Sequence, residues 1–419
     1  MAVLSWLLLG TVVILVLIQS SVVAMLVRQL VSFRHSAVGE ENLPRAAVVL
    51  AIRGPDPYLQ DSLRSLLQQR YQRFTVLVVV DSQSDPAVAT VKAVAREVAT
   101  DRLRLLVLPR PLDTCTLKCS SLIHALDELD PDCEVVAFVD GDVRPHDCWL
   151  RDLVVAVMDP TVGVATGNRW YMPERPSWGS LVRYYWNAGA VGQMWFNGMI
   201  WAGSMALRVE TIRRISLREA WGRALSVDAT VYEQVHKHGL RVQFVPGVIM
   251  VNTEEISLGQ FSAWVRRQLV GAKNLGTGWL SVLTHAMSLL AIQLTGGVLF
   301  VDAVSRSDWM TAGVAAAALG LYWSAALGAA AAMDFAVRKV AAMNGQSYSW
   351  LRPTAVLKLF PAMVLTHFVY VNDLLAACFC NRVSWRGIEY RIFGRHNIRM
   401  TSYRAYTEQP TRSPTSSVT

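Results

Sequence analysis

Charged residues are scarce in this chain. Only 17% of its 419 residues are Asp, Glu, Lys or Arg, while 53% are hydrophobic. An average soluble domain has about 25% charged residues, so the composition indicates membrane-spanning segments. The chain has no Lys/Arg-rich run with interleaved aromatic residues. Its formal net charge of +8 therefore favours a cytoplasmic surface and anionic lipid over nucleic acid as partner.

Two further sequence signals are missing. The six cysteines, at positions 115, 119, 133, 148, 378 and 380, lack the neighbours that are typical of zinc sites. We expect reduced thiols in a domain that faces the cytosol. No Gly-x-Gly-x-x-Gly motif follows the first predicted strand, which argues against a dinucleotide cofactor.

Four long apolar runs predict membrane segments. The first, at residues 3–27, is long enough to cross a bilayer. It lacks the basic start and the cleavage site of a signal peptide, so residues 1–30 are predicted to form a retained anchor. Arginines follow this run and none precedes it, so the positive-inside rule predicts a cytoplasmic domain after it. The other runs, at about 281–303, 310–333 and 355–380, fall in a predicted membrane region at 278–382.

The last apolar run raises a question of topology. It contains Lys358, His367, Asn372 and Asp373, which predicts a re-entrant segment or one packed against protein. Four full crossings would leave the C-terminus outside, yet the following tail, residues 383–419, begins with several arginines that prefer the cytoplasm. Either the last run does not cross or the charge rule fails here, and we favour the first. Residues 406–419 are rich in Ser, Thr and Pro and are predicted to be disordered.

The region between the anchor and the later spans, residues 43–275, has the pattern of an α/β domain. Buried strands are predicted at 46–52, 74–80, 103–108 and 134–139, and helices at 58–69, 86–98 and 119–129. Continuous apolar strands that alternate with helices predict a parallel sheet with helices on both faces. A further apolar stretch at 188–207 is a marginal span, and we expect it to lie at the membrane surface near the site.

Acidic residues follow two of these predicted strands. Asp81 ends the second strand, and Asp140 and Asp142 end the fourth. Ligands gather at the carboxyl ends of parallel strands. Two carboxylates at such a place can hold Mg²⁺ or Mn²⁺, which in turn binds a diphosphate. A polar turn is the alternative interpretation for each motif taken alone.

Two more motifs complete the series. Asp228 lies beside a predicted helix, where an N-cap is the alternative role. The run Trp264-Val265-Arg266-Arg267-Gln268 lies just before the membrane region. In this order, the motifs resemble glycosyltransferase family 2 with its GT-A fold. They are most similar to the ceramide glucosyltransferase group and its bacterial lipid-glycosylating relatives, over about residues 46–275, the anchor, the C-terminal spans and residues 381–387.

The resemblance implies an α/β fold: a Rossmann-like GT-A (nucleotide-diphospho-sugar transferase) domain with transmembrane helices before and after it. It also implies a role for each acidic motif. Asp81 would bind the nucleotide base or ribose, and Asp140 and Asp142 would bind the metal, with Asp140 also close to the nucleotide sugar. Asp228 would be the catalytic base. Lys118 would open a helix near the nucleotide, where a cation and a helix N-terminus both suit a diphosphate; a solvated surface lysine is the alternative.

The last motif departs from the family pattern of Gln or Arg, two residues, then Arg-Trp. Arg267 matches and would contact the diphosphate, but Gln268 replaces the tryptophan and Trp264 stands in the first position. A basic collar at the membrane surface is the alternative for Arg267. The missing tryptophan puts acceptor recognition and processive synthesis in doubt.

As a whole, the resemblance implies an inverting membrane glycosyltransferase. It would move a hexose, with glucose from UDP-glucose as the suggested donor, to a hydroxyl of a lipid such as ceramide or diacylglycerol. Mg²⁺ or Mn²⁺ would be the cofactor. A processive polysaccharide synthase and transfer to polyprenyl phosphate stay open as alternatives. Presence of all four aspartates argues against a scaffold, and the absence of an inverted repeat of spans argues against a transporter.

Overall fold

A central mixed sheet is built from the apolar runs of the α/β region. The computed structural model describes residues 1–273, 277–349 and 353–406. The strands before the later spans are β1 (Ala46–Ala51), β2 (Phe74–Val80), β3 (Leu103–Val107), β4 (Val135–Val139), β5 (Val162–Thr166), β6 (Arg169–Tyr171), β7 (Ser204–Arg208), β8 (Arg241–Phe244) and β9 (Met250–Asn252). Seven of them form a sheet in the order β3-β2-β1-β4-β7-β5-β8, and β6 pairs with β9 in a separate parallel ribbon.

The strands of the large sheet run parallel except for β7, which is antiparallel to both β4 and β5. Parallel pairing of β1 with β2 and with β4 brings the carboxyl ends of these three strands to one edge. The four predicted strands are confirmed, with ends that differ by no more than a residue. The end of β4 and the end of β1 therefore lie side by side, where a ligand site is expected.

The helices that accompany the sheet are α2 (Leu59–Leu67), α3 (Ala87–Val98), α4 (Leu117–Asp127), α5 (Trp149–Val157), α6 (Trp178–Phe196), α7 (Val209–Arg214), α8 (Leu217–Trp221), α9 (Val227–Lys237) and α10 (Leu258–Ala272). Side chains of successive strand residues point to opposite faces. Val48 and Leu50 of β1 accordingly pack with α2, α3 and α5, while Ala47 and Val49 pack with α4, α8 and α9. The sheet is thus covered on both faces, as predicted.

The apolar stretch at 188–207 does not form one segment. Its first part belongs to α6, and its last part is β7, which is buried between β4 and β5. The prediction of a membrane-surface segment is therefore wrong for its second half. A short buried strand and a surface helix are both apolar, and the sequence pattern did not separate them.

Four helices are long and apolar enough to cross a membrane: α1 (Ala2–Ser32), α11 (Thr277–Ser305), α12 (Trp309–Met343) and α13 (Pro353–Phe379). Helix α1 packs along α12, and α11 packs against α12. Helix α13 packs against α6 and α10, and Asp373 pairs with Arg266 of α10 at 2.8 Å. The prediction that the last apolar run is packed against protein is confirmed, and the ion pair with Arg266 accounts for its buried Asp373.

The basic region after α13 folds back onto the α/β domain. It forms an antiparallel sheet of β10 (Arg382–Trp385), β11 (Ile388–Gly394) and β12 (Asn397–Ser402). Ile388, Tyr390 and Ile398 of this C-terminal sheet join the core on the α4 face. The sequence analysis had predicted only a basic tail here, and residues 407–419 of the predicted disordered segment lie outside the described residues.

Candidate active site

A single cavity of about 1540 Å³ connects the carboxyl edge of the sheet with the bundle of long helices. Five of the six predicted site residues line it: Lys118, Asp140, Asp142, Asp228 and Arg267. They come from four separate parts of the chain, so their convergence is a property of the fold. Apolar residues of the long helices line the other end of the cavity, among them Leu15, Ile18, Val22, Leu289, Ala326 and Met363.

Asp140 and Lys118 form an ion pair at the end of β4. Helix α4 begins two residues earlier than predicted, capped by the side chain of Thr116, which puts Lys118 in its first turn. Lys118 Nζ lies 2.5 Å from Asp140 Oδ1. Burial alone would raise the pKa of Asp140, but Lys118 and Arg169 outweigh it and lower that pKa, so the carboxylate is ionised.

Arg169, which the sequence analysis did not single out, binds both carboxylates of the Asp140–Asp142 motif. Its guanidinium makes a bidentate pair with Asp142, with N–O distances of 2.8 and 2.9 Å, and Nη2 lies 3.2 Å from Asp140 Oδ2. The guanidinium also stacks 4.9 Å from the Trp201 ring. All four carboxylate oxygens are thus paired with a cation of the chain. A single arginine in a three-residue strand has no sequence signal that would mark it.

Asp228 lies in the first turn of α9 and faces the cavity. The N-cap of this helix is Ser226, whose side chain accepts from the Ala229 amide. Asp228 is therefore not the cap, and its Oδ1 accepts hydrogen bonds from the Ser226 hydroxyl and the Ala229 amide. This arrangement leaves Oδ2 as the oxygen without a hydrogen bond to any described residue. A carboxylate oxygen that has no hydrogen bond to the described residues can accept a proton from a bound hydroxyl.

Arg267 is a cation that points into the cavity from α10. It makes no hydrogen bond or ion pair with the part of the chain that the structure describes, although it lines the same cavity as the aspartates. Burial and the nearby Arg386 both lower its pKa. Two neighbouring cations in one cavity create a positive region that suits an anionic group such as a diphosphate. Arg386 was missed as a site residue, although it lies in the 381–387 segment that carried part of the resemblance.

Asp81, the sixth predicted residue, is adjacent to the cavity but does not line it. Its side chain is fully buried against Arg53, and the two form an ion pair. Tyr403 donates a hydrogen bond of 3.2 Å to Asp81 Oδ2, and the Arg404 carbonyl accepts from Arg53 at 2.7 Å. Arg53, not Asp81, forms the wall of the cavity here. The C-terminal region thus contributes directly to the surroundings of this strand end, which no local sequence pattern predicted.

The close fit around Asp140 depends on Gly203. The Asp140 amide donates to the Gly203 carbonyl at 3.3 Å. A Cβ atom on residue 203 would lie only 2.5 Å from Asp140 Oδ2 and would also overlap the Trp201 ring. Glycine is therefore required for this loop to pass beside the carboxylate.

The fold and the converging carboxylates and cations define a nucleotide-sugar transferase of the GT-A type. A model of glycosyl transferase family 21 matches residues 11–398. The chain belongs to this family, which is that of the ceramide glucosyltransferases. It is accordingly a hexosyltransferase, and its resemblance to the ceramide glucosyltransferase group is confirmed.

Solved structures with a similar fold include two sugar transferases. One is the mannosyltransferase PcManGT from Pyrobaculum calidifontis in complex with GDP-Man and Mn²⁺. The two sequences are 17% identical, and the alignment covers 88% of this chain and 99% of that chain with a TM-score of 0.46. Another is glucosyl-3-phosphoglycerate synthase from Mycobacterium tuberculosis with Mn²⁺ and UDP. It is 14% identical, and the alignment covers 60% of this chain and 86% of that chain with a TM-score of 0.38. No curated protein sequence matches the chain.

Proposed function

We propose that this enzyme transfers glucose from UDP-glucose to the hydroxyl of a membrane lipid, of the ceramide or diacylglycerol kind, with inversion at the sugar. The observation that carries the proposal is the single cavity that joins the charged rim of the sheet to the apolar walls of the long helices. Charged groups suit a nucleotide donor, and apolar walls inside a membrane bundle suit an acyl chain. Glucose and ceramide are the choices that the family suggests.

The donor diphosphate would lie against the cationic part of the cavity. Lys118 in the first turn of α4, Arg267 on α10 and Arg386 after β10 all line it. The backbone amides at the start of α4 add a further favourable field for an anion. Guanidinium groups bind phosphate oxygens in pairs. These residues would hold the diphosphate and stabilise the charge that it gains as the sugar leaves.

Asp140 and Asp142 fit a divalent metal ion that is shared with the diphosphate. Their oxygens are hard ligands, which Mg²⁺ and Mn²⁺ prefer. Among the described residues no group of three or more His, Cys, Asp or Glu side chains forms a complete metal site, so the remaining ligands would come from the donor and water. Such a cation would make the nucleoside diphosphate a better leaving group.

Asp228 would act as the general base. A lipid hydroxyl is barely acidic, so a carboxylate must take its proton as the new bond forms. Asp228 lines the cavity and has one oxygen without a hydrogen bond to a described residue, which would accept the proton of the hydroxyl. The hydroxyl would attack the sugar carbon on the face opposite the diphosphate, which inverts that centre without a covalent sugar–enzyme intermediate.

The acceptor would enter from the membrane end of the cavity. Polar side chains also line this end, and they include His285, Tyr322 and His367. His367 lies 2.8 Å from the Tyr322 hydroxyl and 3.1 Å from Gln293. Hydrogen-bonding side chains at this end of the cavity suit a lipid that has an amide, an ester or a second hydroxyl near the reacting hydroxyl.

The proposed topology has three membrane crossings and a cytoplasmic catalytic domain. Contacts between the ends of α12 and α13 and the α/β domain support it. Both ends of α13 contact the α/β domain: Lys358 Nζ lies 3.4 Å from the Pro176 carbonyl, and Lys273 Nζ donates to the carbonyl of Ala377. The end of α12 also contacts the domain, through Asn344 and Gly247. Helix α13 would then lie along the α/β domain and begin and end on the same side of the membrane. The arginines of the C-terminal sheet would lie on the cytoplasmic side, in accord with the charge rule.

Labelling of single introduced cysteines tests this topology. Ser307→Cys, in the turn between α11 and α12, should react with an impermeant maleimide on intact cells. Thr401→Cys, in β12, should react only after permeabilisation. The unaltered chain, with its six native cysteines, supplies the background. Labelling of position 401 from outside would show that α13 crosses.

A donor panel combined with a lipid panel tests the activity. Membranes that contain the enzyme are incubated with labelled nucleotide sugars and Mg²⁺ or Mn²⁺, and the lipids are extracted. We expect a labelled lipid with UDP-glucose and with ceramide or diacylglycerol as acceptor, and none with membranes that lack the enzyme. Label in an insoluble polymer would indicate a processive synthase. Label in a polyprenyl phosphate would replace the proposed acceptor.

A further inference from the structure

Arg169 is the most strongly paired cation of the site, and the proposed mechanism does not use it. It comes from the short strand β6, and its backbone is held by hydrogen bonds with the side chains of Asn168 and Asn187. Its side chain is 13% exposed. The guanidinium lies between the two carboxylates that would bind the metal, at ordinary hydrogen-bond distances from both. It therefore stands where a divalent ion bound by Asp140 and Asp142 would have to lie.

Charge balance explains why such an arrangement is stable. Two carboxylates and two cations, Lys118 and Arg169, leave this part of the site neutral. Burial alone would lower the pKa of Arg169, but Asp142, Tyr171 and Asp140 outweigh it and raise that pKa well above its ordinary value. The guanidinium is thus permanently charged. A divalent ion that entered now would add two positive charges beside two carboxylates that Lys118 and Arg169 already balance.

The diphosphate of a donor changes this balance. It brings negative charge that can pair with both the incoming metal and a displaced guanidinium. Arg169 Nε is buried and has no hydrogen-bond partner within the described ranges, so the present position does not satisfy the whole guanidinium. Tyr171 Oη, 3.2 Å from Nη1, and the Trp201 ring flank the side chain.

We infer that Arg169 occupies the metal position until the donor arrives and then turns to the diphosphate, so that the metal and the donor bind together and not in sequence. This inference rests on the proposed function, because it takes Asp140 and Asp142 as metal ligands. Arg169 is a positioning residue here. It shields the carboxylates of Asp140 and Asp142 from free cations and holds them at a fixed distance from each other. A purely structural ion pair would not hold off the metal, so removal of Arg169 would then leave the Mn²⁺ affinity without donor unchanged.

Direct binding of Mn²⁺ to the purified full-length protein in detergent tests the inference. Free Mn²⁺ is followed by electron paramagnetic resonance, with and without UDP, and UDP binding is measured separately. In the unaltered protein, UDP should tighten Mn²⁺ binding by about tenfold or more, within the usual range of coupling between two ligands. In Arg169→Gln, Mn²⁺ should bind without UDP at least about tenfold more tightly than in the unaltered protein, and UDP should add less.

Two further variants separate the charge of Arg169 from its geometry and control for the loss of an arginine elsewhere. Arg169→Lys keeps the charge but loses the bidentate geometry, and its Mn²⁺ affinity without UDP should lie between those of the unaltered protein and Arg169→Gln. Arg144→Gln removes one exposed arginine near the same strand end and should retain the full dependence on UDP. The comparison with and without UDP in the unaltered protein does not depend on how well any variant folds.

The possible failures are distinct. If Mn²⁺ without UDP binds no more tightly to Arg169→Gln than to the unaltered protein, and both bind UDP, the inference is overturned and the proposed function stands. The same holds if UDP binds equally well in the presence of a chelator, since Arg169 and Lys118 would then be the permanent cations of the site. If neither UDP nor another nucleoside diphosphate binds, the proposed function fails, and the inference fails with it.

Discussion

Asp228→Asn should lower turnover by about a thousandfold while donor affinity stays within about threefold of that of the unaltered enzyme. General-base catalysis typically contributes 10²–10⁴-fold, and the amide cannot take a proton at neutral pH. The substitution keeps the size of the side chain and an oxygen that can accept from the Ala229 amide, so the start of α9 should persist. Initial rates of lipid glycosylation and equilibrium binding of the nucleotide measure the two effects separately.

Asp61→Asn is a matched control for this experiment. Asp61 also lies in the first turn of a helix, α2, but it is exposed and pairs with Arg64 at the surface. Its replacement removes the same charge from the same kind of position and should leave the rate unchanged. If Asp228→Asn loses donor affinity by the same factor as rate, the residue binds the donor and is not the base.

Asp142→Ala should reduce the formation of labelled lipid by about a thousandfold and should also weaken nucleotide binding in the presence of Mn²⁺. A metal ion that stabilises a leaving diphosphate is worth several kcal/mol, and about 4 kcal/mol corresponds to a thousandfold in rate. The loss of one of two protein ligands also frees Arg169 from its bidentate pair. The joint loss of binding and rate distinguishes this variant from Asp228→Asn.

Asp147→Ala provides the comparison. This aspartate lies in the same loop between β4 and α5, but it pairs with the largely exposed Arg70, and such surface pairs contribute little. It should retain lipid glycosylation and Mn²⁺-dependent nucleotide binding. Full activity of Asp142→Ala would exclude this carboxylate as a metal ligand.

The sheet and the position of its acidic residues could be predicted because both depend on short-range patterns. An apolar run of five to seven residues that is bounded by turn residues is typical of a buried strand in a parallel sheet, and β1, β2, β3 and β4 follow such runs closely. Once these strands are parallel, the residues that follow them must share an edge. Asp140 and Asp142, which follow β4, accordingly line the same cavity as Arg53, which follows β1.

Other parts of the site had no comparable signal. The 188–207 stretch was assigned to one segment because a helix end and a short buried strand have similar composition there. Arg169 lies in a strand of three residues, too short for any periodicity. The partners of Asp81 come from opposite ends of the domain: Arg53 from the end of β1 and Tyr403 from the segment after β12.

The amino-acid sequence by itself determined the strands, the long apolar helices and the order of the acidic motifs, because burial and hydrogen bonding of the backbone act over short stretches of chain. The tertiary structure alone decided that Arg169 stands between Asp140 and Asp142, that Arg53 separates Asp81 from the cavity, and that the C-terminal sheet returns to the α/β domain. Such ion pairs join residues whose proximity is created only when the whole chain has packed. The strength of each pair depends on distance and burial, which local composition does not specify.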